Sequence, residues 1–207
     1  FNAPDGTVWL LYTSQISGNQ DTSVVRRRVS QDGGKNFGPA ETMIGDAGTF
    51  IRQPIVTLSN GDLLLPVFKC RIEAGEKWSG NKDNAGVYRS TDGGKSWLFT
   101  EVPGSLGCVH MNIVPINDNN LVAFYRSRWA DFIYRTESHD AGASWLTPTP
   151  TTLPNNNSSI QCTTLSDGRL AMVYNHSSAA DATGRRTSLY DDLEDDGTPT
   201  NPSTEGR

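Results

Sequence analysis

The sequence is short of cysteine, of positive charge and of long apolar runs, and each shortage excludes something. Cys70, Cys108 and Cys162 are the only cysteines among 207 residues. An odd, sparse set with no CxxC pair is not a disulfide framework, so reduced, partly buried thiols are expected. No His, Asp or Glu cluster has metal-ligand spacing, and no metal or other cofactor is expected. Lys and Arg total 18 against 23 Asp and Glu, a formal net charge of −5. That balance argues against nucleic acid as a partner, because such binders rely on bulk positive charge. A local basic pocket remains compatible with it. No apolar run approaches the roughly 20 residues of a membrane-spanning helix. No signal-peptide pattern is read.

What is plentiful is turn chemistry. Gly 20 and Pro 11 imply many turns and no long helices, while Trp 5, Tyr 6 and Phe 7 supply bulky core residues. Three segments align: Ser30-Gln31-Asp32-Gly33-Gly34-Lys35-Asn36-Phe37, Ser90-Thr91-Asp92-Gly93-Gly94-Lys95-Ser96-Trp97 and Ser138-His139-Asp140-Ala141-Gly142-Ala143-Ser144-Trp145. Their pattern, S-x-D-x-G-x-x-W/F, is that of a tight turn. Asp accepts backbone N–H groups, Gly takes positive φ, and the aromatic ring plugs the neighbouring core.

A second landmark is an Asp/Asn-Gly hairpin at Asp5-Gly6, Asn60-Gly61 and Asp167-Gly168, with Asn117-Asp118-Asn119 in its place in the third unit. Strands are expected over 54–58, 112–116 and 161–165 before these turns, and over 7–12, 62–68, 121–126 and 169–174 after them. A third strand, over 23–29, 85–89 and 132–136, leads into each Asp-containing turn. The unit is a four-stranded antiparallel blade, repeated about four times over residues 1–190, with no innermost strand in the first. Residues 191–207 are acidic and poor in apolar side chains, and read as a flexible loop or tail.

The three repeats resemble the Asp boxes of the sialidase superfamily. Phe50-Ile51-Arg52-Gln53-Pro54-Ile55-Val56, Gly107-Cys108-Val109-His110-Met111-Asn112-Ile113-Val114, Tyr125-Arg126-Ser127-Arg128-Trp129 and Leu153-Pro154-Asn155-Asn156-Asn157-Ser158-Ser159 are similar to its predicted-neuraminidase branch. The resemblance implies an all-β, sialidase-like propeller whose full ring has six blades, or seven in some relatives. It also implies a Tyr–Glu nucleophile pair and further arginines in later blades, for which no match is read here. Completing the ring then calls for self-association or a further C-terminal segment.

Blade topology assigns the faces. Asp boxes lie opposite the ligand face, which is lined by starts of first strands, ends of second strands and second-to-third loops. Starts of first strands bring Arg52, His110 and Ser159 to equivalent positions. Ends of second strands bring Tyr12, Lys69, Arg71, Arg126, Arg128 and His176. The loops bring Asp21, Trp78, Asp83, Asp131, Arg185 and Arg186. An acidic chain thus gathers cations at one set of positions, as a pocket for an acidic carbohydrate requires, because Arg grips carboxylate through a planar fork. Alternation is expected to put Arg126 and Arg128 on one face. Arg26-Arg27-Arg28 reads as strand surface. His110 is the candidate proton-transfer group. The resemblance suggests Asp21 as general acid/base.

The activity implied is a sialidase-like exo-glycosidase releasing terminal acidic sugars, sialic acid or related, from glycoconjugates. The alternatives are a propeller lyase or glycosidase on uronic-acid polysaccharides, with His110 or Tyr12 moving protons, and a non-catalytic carbohydrate-binding propeller. Asn156-Asn157-Ser158, Asn157-Ser158-Ser159 and Asn175-His176-Ser177 fit the N-glycosylation pattern, which matters only in a secreted protein. Their hydrogen-bonding amides are the reading favoured here.

Overall fold

Strands form where the β-branched and aromatic runs fall. The computed structural model describes residues 1–16, 19–75 and 78–181. The first sheet is β1 (Val8–Ile16), β2 (Asn19–Ser30) and β3 (Glu41–Ile44) in that order. In the second, the innermost strand comes in two pieces, β4 (Thr49–Ile51) and β5 (Val56–Thr57). Both pair with β6 (Leu63–Lys69), followed by β7 (Asn84–Ser90) and β8 (Leu98–Glu101). The third is β9 (Cys108–Pro115), β10 (Leu121–Ser127), β11 (Phe132–Ser138) and β12 (Thr149–Pro154). The fourth holds β13 (Gln161–Thr164) and β14 (Leu170–Val173) among the described residues. All pairings are antiparallel, and the sheets are propeller blades. No helix among the described residues is long and apolar enough to cross a membrane.

Two differences from expectation have physical reasons. The first blade keeps a stub of its innermost strand. The Phe1 backbone nitrogen donates to the Trp9 carbonyl at 2.9 Å, the Trp9 N–H donates to the Phe1 carbonyl at 2.8 Å, and Asn2 bridges to Val8. The outermost strands β3, β8 and β12 complete the four-stranded unit, but the sequence assigns them no residue range. They are short, largely exposed and polar, and β12 carries Pro150 and Pro154, so no apolar alternation marks them.

The core lies between blades. Trp9, Val25, Leu63, Leu65, Val67 and Tyr88 join the first to the second. Leu64, Val87, Met111, Ala123 and Tyr125 join the second to the third. Val122, Phe124, Ile133 and Ile160 join the third to the fourth. Alternation does this directly, since odd and even residues of β6 enter different interfaces. Burying each such side chain is worth about 1.5–3 kcal/mol.

The Asp boxes are turn clasps, as the pattern predicts. Asp32 Oδ1 accepts from the Ser30 hydroxyl at 2.7 Å and from the Asn36 N–H at 2.9 Å, while the Gly34 N–H donates to Ser30 Oγ at 2.9 Å. Ser90, Asp92, Gly94 and Ser96 repeat this, as do Ser138, Asp140, Gly142 and Ser144. The glycines also permit docking onto the preceding blade. A Cβ on Gly94 would lie 2.4 Å from the Trp9 ring, and one on Gly142 would lie 2.7 Å from Leu64.

Candidate functional site

The face opposite the Asp boxes is where the inner strands begin, and each begins irregularly. In the second blade the strand is interrupted between Ile51 and Val56, where Pro54 lacks the N–H that a ladder needs. Arg52 sits in that gap, exposed. In the third blade the β9–β10 register slips between Phe124 and Arg126, and His110 opposite takes a positive φ of 56°. Asn157, just before the fourth blade, has φ 58°. Such departures from regular pairing re-aim side chains.

The result brings three inner-strand starts together. His110 Nδ1 lies 3.1 Å from Ser159 Oγ, and the imidazole packs on Phe68 with ring centroids 5.4 Å apart. Gln53 Nε2 donates to the Ile160 carbonyl at 3.2 Å, tying the second blade's inner strand to the fourth. Arg126 Nε donates to Asn157 Oδ1 at 2.6 Å. Asn155, fully buried, organises this loop. Its Oδ1 accepts from the Ser127 and Asn157 N–H groups, and its Nδ2 donates to the Ser158 carbonyl. Sequence reasoning does not single out Asn155, whereas Asn157 is among the amides it reads as hydrogen-bonding groups. The clustered amides before the fourth blade were the available signal.

Arg128 and Arg126 part company, contrary to expectation. Arg126 follows the parity of Val122 and Phe124 toward the fourth blade. The strand ends at Ser127, and the turn beyond it sends Arg128 the other way, to Asp83 of the second blade at 2.6 Å. Both partners of that pair are buried. Arg128 also lies over Phe68 and Trp78, and Trp78 Nε1 donates to Asp83 at 3.0 Å. Burial raises the Asp83 carboxyl above its ordinary range, against the pull of Arg128 and Trp78. Burial, with the positive fields of Arg126, Arg128 and Arg52, holds His110 well below its ordinary value of 6.5. The imidazole is therefore neutral at pH 7, in the midst of three guanidiniums. Arg52 makes no hydrogen bond or ion pair with a described residue, and it borders a cleft of about 520 Å³ shared with Tyr12, Thr13, Phe50 and Gln53.

The other expected residues lie differently. Asp21 is half-buried near the start of β2, close enough to Cys70 that its charge, with burial first and Asp83 next, raises that thiol. Lys69 is buried, donating to Thr49 Oγ1 at 2.5 Å and Tyr88 Oη at 2.9 Å, with Asp46 3.7 Å away. Arg71 turns outward to Glu101 at 2.6 Å and to Asn84 at 3.0 Å. His176 is exposed against the Tyr174 hydroxyl at 2.8 Å. Lys69, Arg71 and His176 are held by partners that suit a structural role. Asp131 caps the Ser127–Asp131 turn through the Ser127 and Tyr134 hydroxyls. Arg27 stacks 4.2 Å over Trp9 and pairs with Glu41, as strand surface does. Arg185, Arg186 and the segment 191–207 lie outside the described residues. No cluster of metal-ligating side chains occurs among the described residues.

The BNR repeat-like domain matches residues 1–198. The chain belongs to that family. The fold of this BNR repeat-like chain is that of the sialidases. A Dyadobacter fermentans protein of unknown function superposes with a TM-score of 0.63 at 18% identity, covering 84% of this chain and 55% of its own. A Hadza microbial sialidase gives 0.64 at 16% identity, covering 95% and 42%. The intramolecular trans-sialidase of Ruminococcus gnavus, in complex with oseltamivir carboxylate, gives 0.55 at 19% identity, covering 73% and 32%. The chain thus spans about half or less of the length of these structures. No curated protein matches the sequence significantly.

Proposed function

We propose that this face binds the carboxylate of a terminal acidic sugar, and that the protein is a sialidase-like exo-glycosidase acting on glycoconjugates. The observation that carries the reading is Arg52. It is an exposed guanidinium at the start of an inner strand, without a partner among the described residues, beside a neutral His110 and the Asn157-held Arg126. Elsewhere on the ligand face, Arg71 and Arg128 are already joined to carboxylates. Arg52 and Arg126 clamp the sugar carboxylate, the first supplying the open fork and the second an aimed one. Asp21 serves as general acid/base from the first blade's strand. His110, held neutral among these cations, contributes hydrogen bonds.

A second reading draws on His110 itself. A neutral imidazole among guanidiniums is also what a lyase uses to remove the proton beside a uronate carboxylate, with Arg52 neutralising the developing charge. The deciding experiment offers the protein a fluorogenic sialoside and a set of uronic-acid polysaccharides. Release of sialic acid, lost on Arg52→Ala by about 100-fold or more, supports the first reading. A new ultraviolet-absorbing unsaturated uronate, with no sialic acid released, replaces it by the second.

A further inference from the structure

An exposed tryptophan follows Arg126 and Arg128 at the end of β10, on a seat built for it. β10 ends at Ser127, and the turn that follows is fastened on both sides. Ser127 Oγ accepts the Trp129 N–H at 3.1 Å, the Arg128 N–H donates to the Gly107 carbonyl at 2.9 Å, and the Ala179 N–H donates to the Ala130 carbonyl at 2.7 Å. The Gly107 N–H in turn donates to the Asp83 carbonyl at 2.8 Å. Ala130 holds a positive φ of 52°, a conformation that a side chain adopts only when its surroundings impose it.

The indole rests on Gly107. A Cβ there would lie 2.4 Å from Trp129 Nε1 and 2.7 Å from Cε2, so any larger residue would unseat the ring. Yet Trp129 keeps 38% of its surface open. Core packing does not account for an aromatic ring positioned this firmly and left exposed. Arg128, the preceding residue, is locked to Asp83, and Arg126 lies three residues before. The platform is thus fixed to the same strand end that aims the proposed carboxylate clamp.

We propose that Trp129 is the stacking platform for the second sugar of an oligosaccharide whose terminal acidic sugar occupies the Arg52–His110–Arg126 pocket. The inference rests on the acidic-sugar reading and adds to it a preference for glycans over free acid. A pyranose presents an apolar C–H face that covers an indole, while its hydroxyls stay in water. The ligand chemistry is therefore a neutral hexose joined to the acidic terminus.

The test compares binding of free sialic acid and of a sialyl-trisaccharide by calorimetry, using wild type, Trp129→Ala and Trp129→Phe. Thermal melts check that each variant folds. Wild type should prefer the trisaccharide by about three- to tenfold, the range that one aromatic contact supplies. Trp129→Ala should erase that preference without changing affinity for free sialic acid, and Trp129→Phe should restore most of it. A preference that survives Trp129→Ala, or an equal loss for both ligands, overturns the platform and leaves the acidic pocket standing. If wild type binds neither ligand, the pocket reading and the platform both fail.

Discussion

At the scale of single residues, the buried Asp83–Arg128 pair is the most exacting element of the ligand face. Its Arg128 Nε has no hydrogen-bond partner among the described residues, so Asp83 supplies the compensation for a buried cation. Asp83→Ala strands that charge and is expected to cost about 3–5 kcal/mol in urea unfolding. Adding Arg128→Met should recover much of the loss. Equal instability of the single and double variants would mean that the carboxylate acts through packing alone. His110 makes a separate prediction, in pH. Its folded value is depressed, so the unfolded chain takes up a proton first as pH falls below about 6.5. Stability from a neutral His110 is present above that value and declines as pH drops toward 5. His110→Gln should flatten the decline between pH 7 and 5, measured as melting temperature. An unchanged slope would assign it to other groups.

At the scale of elements, the repeated turn is both clasp and spacer. The Asp32 carboxyl is lowered to about 2 by the N–H and side chain of Asn36 and by Ser30, so the clasp is charged wherever the protein is folded near neutral pH. The glycine two positions on from each Asp contributes differently, by leaving room. Gly142 has φ 80° and no space between itself and Leu64, so Gly142→Ala meets both strain and overlap. It should cost about 1–3 kcal/mol by thermal unfolding. Gly33→Ala, at φ 72° but with nothing within 4 Å, isolates the strain alone and should cost less. Equal costs would show that the close approach to the preceding blade is unimportant.

At the scale of the whole molecule, blade order and face were legible because the repeats carry them. Asp32, Asp92 and Asp140 set the register, and that register alone aligns Arg52, His110 and Ser159. What escaped depends on departures from regularity. The parting of Arg126 and Arg128 follows from a register slip and a strand end, which alternation does not encode. The structural roles of Lys69 and Arg71 depend on Tyr88 and Glu101, partners that lie on neighbouring strands and carry no sequence signal of their own. Asn155 escaped because one amide bonding three backbone groups looks, in sequence, like any loop Asn.

The amide of Asn157 carries one last consequence, for how the protein is made. Its side chain is almost wholly buried and its oxygen accepts from Arg126, yet it heads an Asn-Ser-Ser sequon. An oligosaccharyltransferase acts on chains that have not yet folded, and a glycan placed there has no room in the finished blade. Sugar on Asn157 and an aimed Arg126 are mutually exclusive. Preparations from glycosylating and non-glycosylating hosts would therefore differ at the pocket itself, even with identical sequences.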